Sequence, residues 1–193
     1  MVTATQKDNR VVTGEVRLSY VHVFEPYAND PDQAPKYSTV LIIPKSDKAT
    51  LNAIRKAAAH AAENGKAKFG GKVPAPIQKN PATTLHDGDE EADLERNPEY
   101  EGCYYMSVSS KVQPGIIDRN KMPILDQQEV YSGCYARVAL GAFAYNTSGN
   151  KGVSFGLNHV QKLRDGEPLG GITRAEDEFD DLDDMDDEGD DLI

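Results

Sequence analysis

The chain has 193 residues, a net charge of −11 and 38% hydrophobic residues, enough for one domain with a real core and length left for a tail. Of its 32 acids, 12 lie between Glu176 and Ile193 without a Lys or Arg, which leaves 20 acids against 21 bases in residues 1–175. Another 8 acids fall between Asp87 and Glu101 beside only Arg96, so the remaining body carries 12 acids against 20 bases and a uniformly acidic folded surface is excluded.

Residues 1–10 are polar and are expected to form a flexible N-terminus without a signal peptide. No stretch approaches the roughly 18 apolar residues of a membrane span. Cys103 and Cys134 cannot build a disulfide framework, so a cytoplasmic, reducing compartment is expected. The first strand signal runs from Val11 to Phe24. Its alternation from Val16 puts Val16, Leu18, Tyr20, His22 and Phe24 on one face and Arg17, Ser19, Val21 and Val23 on the other. Pro26 and the run Asn29 to Asp32 end it. Tyr37 to Ile43 is a nearly continuous β-branched run before Pro44, the pattern of a central strand.

Ser46 or Asp47 can cap the helix that follows, in which Leu51, Ile54, Ala58 and Ala61 share a face and Gly65 marks the stop. Lys66 to Lys79 reads as a basic loop whose Lys66, Lys68 and Lys72 are available to phosphates. Residues 80–101 read as a long polar, acidic surface excursion. Strand patterns resume at Tyr104–Val112, Val130–Tyr145 and Gly152–Leu163, separated by Pro114-Gly115, Pro123 and Asn146 to Asn150. Five strands and one amphipathic helix without βαβ alternation predict a mainly β chain, a small antiparallel barrel.

An enzyme finds little support. The four histidines and two cysteines lack metal-ligand spacing, and no nucleophile elbow, Walker loop or dinucleotide fingerprint occurs. Asp87 to Asp93 does not fit a calcium loop, because its glycine stands at the second position, and it reads as a solvated acidic loop. No cofactor and no metal are expected. Strand faces carry the binding reading. Tyr105, Ser107, Ser109 and Lys111 point one way, with Tyr104, Met106, Val108 and Ser110 toward the core. In the next strand Tyr131, Gly133, Tyr135, Arg137, Ala139, Gly141, Phe143 and Tyr145 share a face opposite Val130, Cys134, Val138 and Leu140. An aromatic on a solvated face stacks a base while a neighbouring cation meets the phosphate. On face and charge alone, the candidate nucleic-acid-binding residues are Arg17, Lys36, Tyr37, Tyr105, Lys111, Arg119, Tyr135 and Arg137. Residues 171–193 are acid punctuated by Phe179, Leu182, Met185, Leu192 and Ile193, which predicts a disordered tail able to compete with nucleic acid for a basic groove.

Four segments also carry a resemblance: Tyr37 to Lys45, Pro114 to Asn120, Val130 to Arg137, and Lys151 to Leu169 with its block Gly152-Val153-Ser154-Phe155-Gly156-Leu157-Asn158. Together they resemble a tailed-bacteriophage family of single-stranded DNA-binding proteins, over most of residues 11–170. The resemblance implies an oligonucleotide-binding (OB) fold, sequence-tolerant binding to single strands, and an acidic tail that recruits replication proteins. Two departures stand out: the tail ends in Leu192-Ile193 instead of an aromatic, and the helix comes earlier than in the usual barrel order. The expected protein is therefore an OB-like barrel over 11–170 with a tail at 171–193. It coats single-stranded DNA in phage replication or recombination, without catalysis or membrane contact, and meets a polymerase or helicase through the tail. The alternative is an acidic DNA mimic that binds a basic protein, which needs acid spread over a folded surface and not confined to one loop and the end.

Overall fold

The computed structural model describes residues 2–170; the expected disordered tail, 171–193, lies outside the described residues. The strands are β1 (Thr5–Lys7), β2 (Arg10–Val12), β3 (Val16–Tyr27), β4 (Lys36–Pro44), β5 (His86–Asp87), β6 (Cys103–Ser110), β7 (Gly115–Ile117), β8 (Tyr135–Thr147) and β9 (Asn150–Arg164). The helices are α1 (Lys48–Asn64), α2 (Ala75–Lys79) and α3 (Gly88–Glu91). No helix among the described residues is long and apolar enough to cross a membrane.

Five strands close on themselves in the order β3-β4-β6-β9-β8 and back to β3. Every pairing in this ring is antiparallel except β6 with β9, which run parallel and meet at Ser109 and Gly156. Closure removes the free edges that would otherwise template association. The result is the expected mainly β, OB-like barrel, with α1 between its second and third strands. The first ten residues, expected to be flexible, hold β1, which pairs with β2, and β2 in turn pairs with β8. Residues 130–134, expected in a strand, form a turn in which the Tyr131 hydroxyl donates to Gly166 O at 2.8 Å.

Alternation fills the barrel. Met106 and Val108 of β6 point inward, as do Ala136, Val138, Leu140, Ala142 and Ala144 of β8, and all are buried. Helix α1 closes one end with Leu51, Ile54, Ala57 and Ala58 against this core. Asp47 caps it, accepting the Thr50 N–H at 3.0 Å and the Thr50 hydroxyl at 2.6 Å. Thr50 Oγ1 also accepts the Gly14 N–H at 2.9 Å, which ties the helix start to the turn before β3.

Because β6 and β9 share one pair, the seam between them needs another filler, and residues 80–101 supply it. The Thr83 hydroxyl donates to Val153 O at 2.9 Å and accepts the Val153 N–H at 2.8 Å. Beyond it β5 pairs with Tyr104 and Tyr105 of β6. The Lys45 ammonium sits 2.7 Å from both Asp87 and Asp89, and Asp89 accepts the Gly102 N–H at 2.9 Å. Gly88 passes so close to the backbone that a Cβ there would lie 2.2 Å from Tyr100 O. The run expected as a solvated acidic loop is thus docked by its own carboxylates. Composition missed this because the counter-charge, Lys45, lies some forty residues away in sequence.

Register shifts at four places interrupt the β3–β4 and β8–β9 pairings, and two single-residue bulges among them bear on the outer face. From Ser19–Val40 to His22–Ser38, β3 advances one residue more than β4, and Tyr20 stands at φ +47°. Val16 and Leu18 point inward before the bulge and Val23 after it, while Tyr20 is 58% exposed. The expected single face of Val16, Leu18, Tyr20, His22 and Phe24 is therefore broken at Tyr20. In β9, Ala139 pairs with His159 but Leu140 with Leu157, so Asn158 is the extra residue.

Candidate single-strand interface

Residues paired across neighbouring strands share a face, so the registers define rows around the outside of the barrel. One row runs Arg164, Tyr135, Arg17, Ile42, Tyr105, His86. It is filled by its own side chains. The Arg164 guanidinium lies 3.7 Å from the centre of the Tyr135 ring and that of Arg17 5.6 Å. Arg17 donates to Gly133 O at 3.1 Å and to Glu167 O at 2.7 Å, and Arg164 pairs with Glu15 at 2.8 Å. Across the row, Tyr105 contacts the rings of Tyr100 (4.7 Å) and His86 (5.3 Å), and Ile42 beside it is 2% exposed. Burial pushes the Tyr100 hydroxyl up to about 12, against a hydrogen bond with Ser19 that opposes the rise.

The next row, Ser19, Val40 and Ser107, is lined by small residues. Beyond it runs a row of His22, Ser38, Ser109, Gly156, Gly141 and Arg10, which crosses the barrel from β3 to β2. No bulky side chain stands between its ends. A Cβ at Gly156 would meet nothing closer than 3.7 Å, and one at Gly141 only the Asn158 amide at 3.6 Å. The result is a trough floored by serine and glycine. At one end the Tyr27 ring stacks on His22, centroids 4.3 Å apart and planes within 10°, with Lys36 in register beside Tyr27. Tyr20, Tyr27 and Phe143 are the exposed aromatics of the ring strands; of the exposed cations, Arg10 pairs with Gly141 at one end of the row, Lys36 with Tyr27 at the other, and Lys111 follows the end of β6.

The eight sequence candidates thus separate. Lys36 pairs with Tyr27 at one end of the trough, and Lys111 is exposed just past the end of β6. Tyr37 takes the inward phase of Thr39 and Leu41, half-buried opposite Ser110. Arg17, Tyr105 and Tyr135 stand in the filled row. Arg137 donates to Thr13 O at 3.1 Å and Thr3 O at 3.2 Å, which fastens the N-terminal segment, and Arg119 donates to Leu163 O at 3.3 Å. Of the loop lysines, Lys66 pairs with Glu63 at 3.0 Å and Lys68 donates to Ala144 O at 3.0 Å, leaving Lys72 exposed. Sequence reasoning did not single out Tyr20, His22, Tyr27 and Arg10, which border the trough. The bulge that turns Tyr20 outward has no local signature, although the aromatic density of 20–27 could have raised these residues.

A closed five-strand barrel with a solvated small-residue trough, flanked by aromatics and cations, defines an OB-fold protein with a surface of the single-strand-binding class. The chain belongs to the family described as Enterobacter phage Enc34, ssDNA-binding protein, whose profile matches residues 9–192. Protein p50 of Acyrthosiphon pisum secondary endosymbiont phage 1 is 35% identical over 176 residues, 89% of this chain and 93% of that one. The single-stranded DNA-binding protein of bacteriophage Enc34, solved in complex with ssDNA, superposes with a TM-score of 0.71 at 25% identity, covering 88% of this chain and 98% of the other. The bacteriophage T7 protein gp2.5 shares the fold, with a TM-score of 0.59 at 14% identity over 86% of this chain and 91% of its own.

Proposed function

We propose that the chain binds single-stranded DNA with little sequence preference and coats exposed strands during phage DNA replication and recombination in the host cytoplasm. The observation that carries this is the trough. Its serine and glycine floor lets a strand approach the backbone, Tyr20, Tyr27 and Phe143 offer faces for unpaired bases, and Arg10, Lys36 and Lys111 meet phosphates. Family membership supports the same reading. The protein acts by binding alone, with no cofactor, so a labelled strand incubated with it and divalent metal should stay intact.

Residues 2–170, the N-terminal hairpin included, form the binding domain, and 171–193 an acidic tail. With 12 acids and no base from Glu176 onward, the tail competes for the trough when DNA is absent. Once displaced by DNA, it is free to recruit a polymerase or helicase. Fluorescence anisotropy with single-stranded and blunt duplex oligonucleotides across a salt series tests the central reading. Single strands should bind far more tightly, with log affinity falling against log salt by roughly 0.7 per phosphate neutralised. Equal affinity for the duplex would refute it.

A further inference from the structure

The trough does not stop at the barrel. Where it reaches β2, a cleft of about 430 Å³ opens, lined among others by Arg10, Ser110, Val112, Ala139, Asn158 and His159, within the roughly 300–1,000 Å³ range of small-molecule sites. We infer that this cleft is a nucleotide subsite that carries the bound strand beyond the barrel face onto the N-terminal hairpin. The inference rests on the single-strand reading above.

The β9 bulge builds it. By adding Asn158 between Leu157 and His159, the bulge brings an amide and an imidazole side by side at the end of the row. His159 Nδ1 accepts the Gly115 N–H at 3.1 Å, so the neutral ring carries its proton on Nε2 and presents a fixed donor. The Asn158 amide makes no hydrogen bond among the described residues, and it offers both a donor and an acceptor, the complement a base edge requires. Arg10 is exposed with no ion pair among the described residues, as a phosphate contact needs. Val112, 74% exposed, supplies an apolar surface beside them. A cation, a fixed donor, an amide and an apolar wall around one cavity match the parts of a nucleotide. The residues flanking it, Ser110 and Ala139, are small enough to admit one.

The reach is consistent. Four inter-strand steps separate Ser38 from Arg10, an arc of roughly 19 Å at about 4.8 Å each. A stacked strand at about 3.4 Å per nucleotide covers that with five or six, inside the roughly 4–16 nucleotides an OB fold occupies.

The test uses the full chain and oligo-dT of about four and about twelve nucleotides. Arg10→Ala and Asn158→Ala, both at solvent-accessible positions, should weaken the longer strand about five- to tenfold, as the loss of one phosphate contact or one base-edge hydrogen bond does. The shorter strand, which can seat at the His22–Tyr27 end, should lose less than about twofold. Arg10→Ala should also reduce the salt slope for the longer strand by about 0.7. Photocrosslinking a long strand bearing 5-iododeoxyuridine should label the peptide containing His159 together with that containing Tyr20 or Tyr27. Undiminished affinity of both variants for the longer strand, equal losses for both lengths, or label at Tyr20 or Tyr27 without His159 would overturn the subsite. A wild-type chain that binds neither oligonucleotide refutes the single-strand reading itself, and the subsite falls with it.

Discussion

Tyr20→Gly and Tyr135→Ala should have opposite consequences, because one ring is held outward and the other is already occupied. Tyr20 stands at φ +47° with its side chain 58% exposed. A left-handed conformation costs a non-glycine residue roughly 1–2 kcal/mol, and the freedom glycine loses on folding returns about 0.5–1 kcal/mol of that. With little packing lost, the stability of Tyr20→Gly should stay within about 1 kcal/mol of wild type, a Tm change of about 2–4 °C for a domain of this size. Its single-strand affinity should fall by about 1–3 kcal/mol for one lost base stack, about five- to 150-fold. Tyr135→Ala instead removes the ring between Arg164 at 3.7 Å and Arg17 at 5.6 Å. Each contact contributes roughly 0.5–2 kcal/mol, so the variant should melt several degrees lower while binding within about threefold of wild type. Thermal melts and anisotropy titrations on both variants check this. A Tyr135→Ala protein with unchanged Tm and tenfold weaker binding would show that the filled row is the interface and refute the reasoning.

Gly88→Ala should loosen residues 80–101, because its Cβ has no room against Tyr100 O and Cys103 O; hydrogen exchange should rise at β5 while the β8–β9 amides stay protected. The docking should also be acid-sensitive. The Gly102 amide and the Lys45 ammonium hold the Asp89 carboxyl below its ordinary 3.8, so its stabilisation is complete above that value and is lost as pH falls through the lowered one. Lys45→Met should move this step to higher pH, and an unmoved acid transition at β5 would count against the clamp. Truncation after Ala175 should tighten single-strand binding at low salt, with the gain shrinking as the Debye length falls toward about 8 Å near physiological ionic strength. Identical affinities at low salt would mean the tail never visits the trough.

Local pattern alone determined much of this protein. Strict alternation in Tyr104–Ser110 and Tyr135–Tyr145 assigned the inward residues correctly, because a strand's period of two needs no partner to be read. A cap at Ser46 or Asp47, the stop at Gly65 and the segregation of acid from base were equally legible, since each depends on neighbours within a few residues. The trough was not. Whether an outward tyrosine is available depends on what the next strand places over it: Arg164 and Arg17 cover Tyr135, and Tyr100 with His86 flanks Tyr105. Single-residue bulges at Tyr20 and Asn158 reversed or inserted a phase that sequence alternation carries straight through. The trough joins residues from β2, β3, β4, β6, β8 and β9 through cross-strand register. Register is a property of the closed barrel, settled by which faces can be buried together, so only the tertiary structure decided where the open row lies.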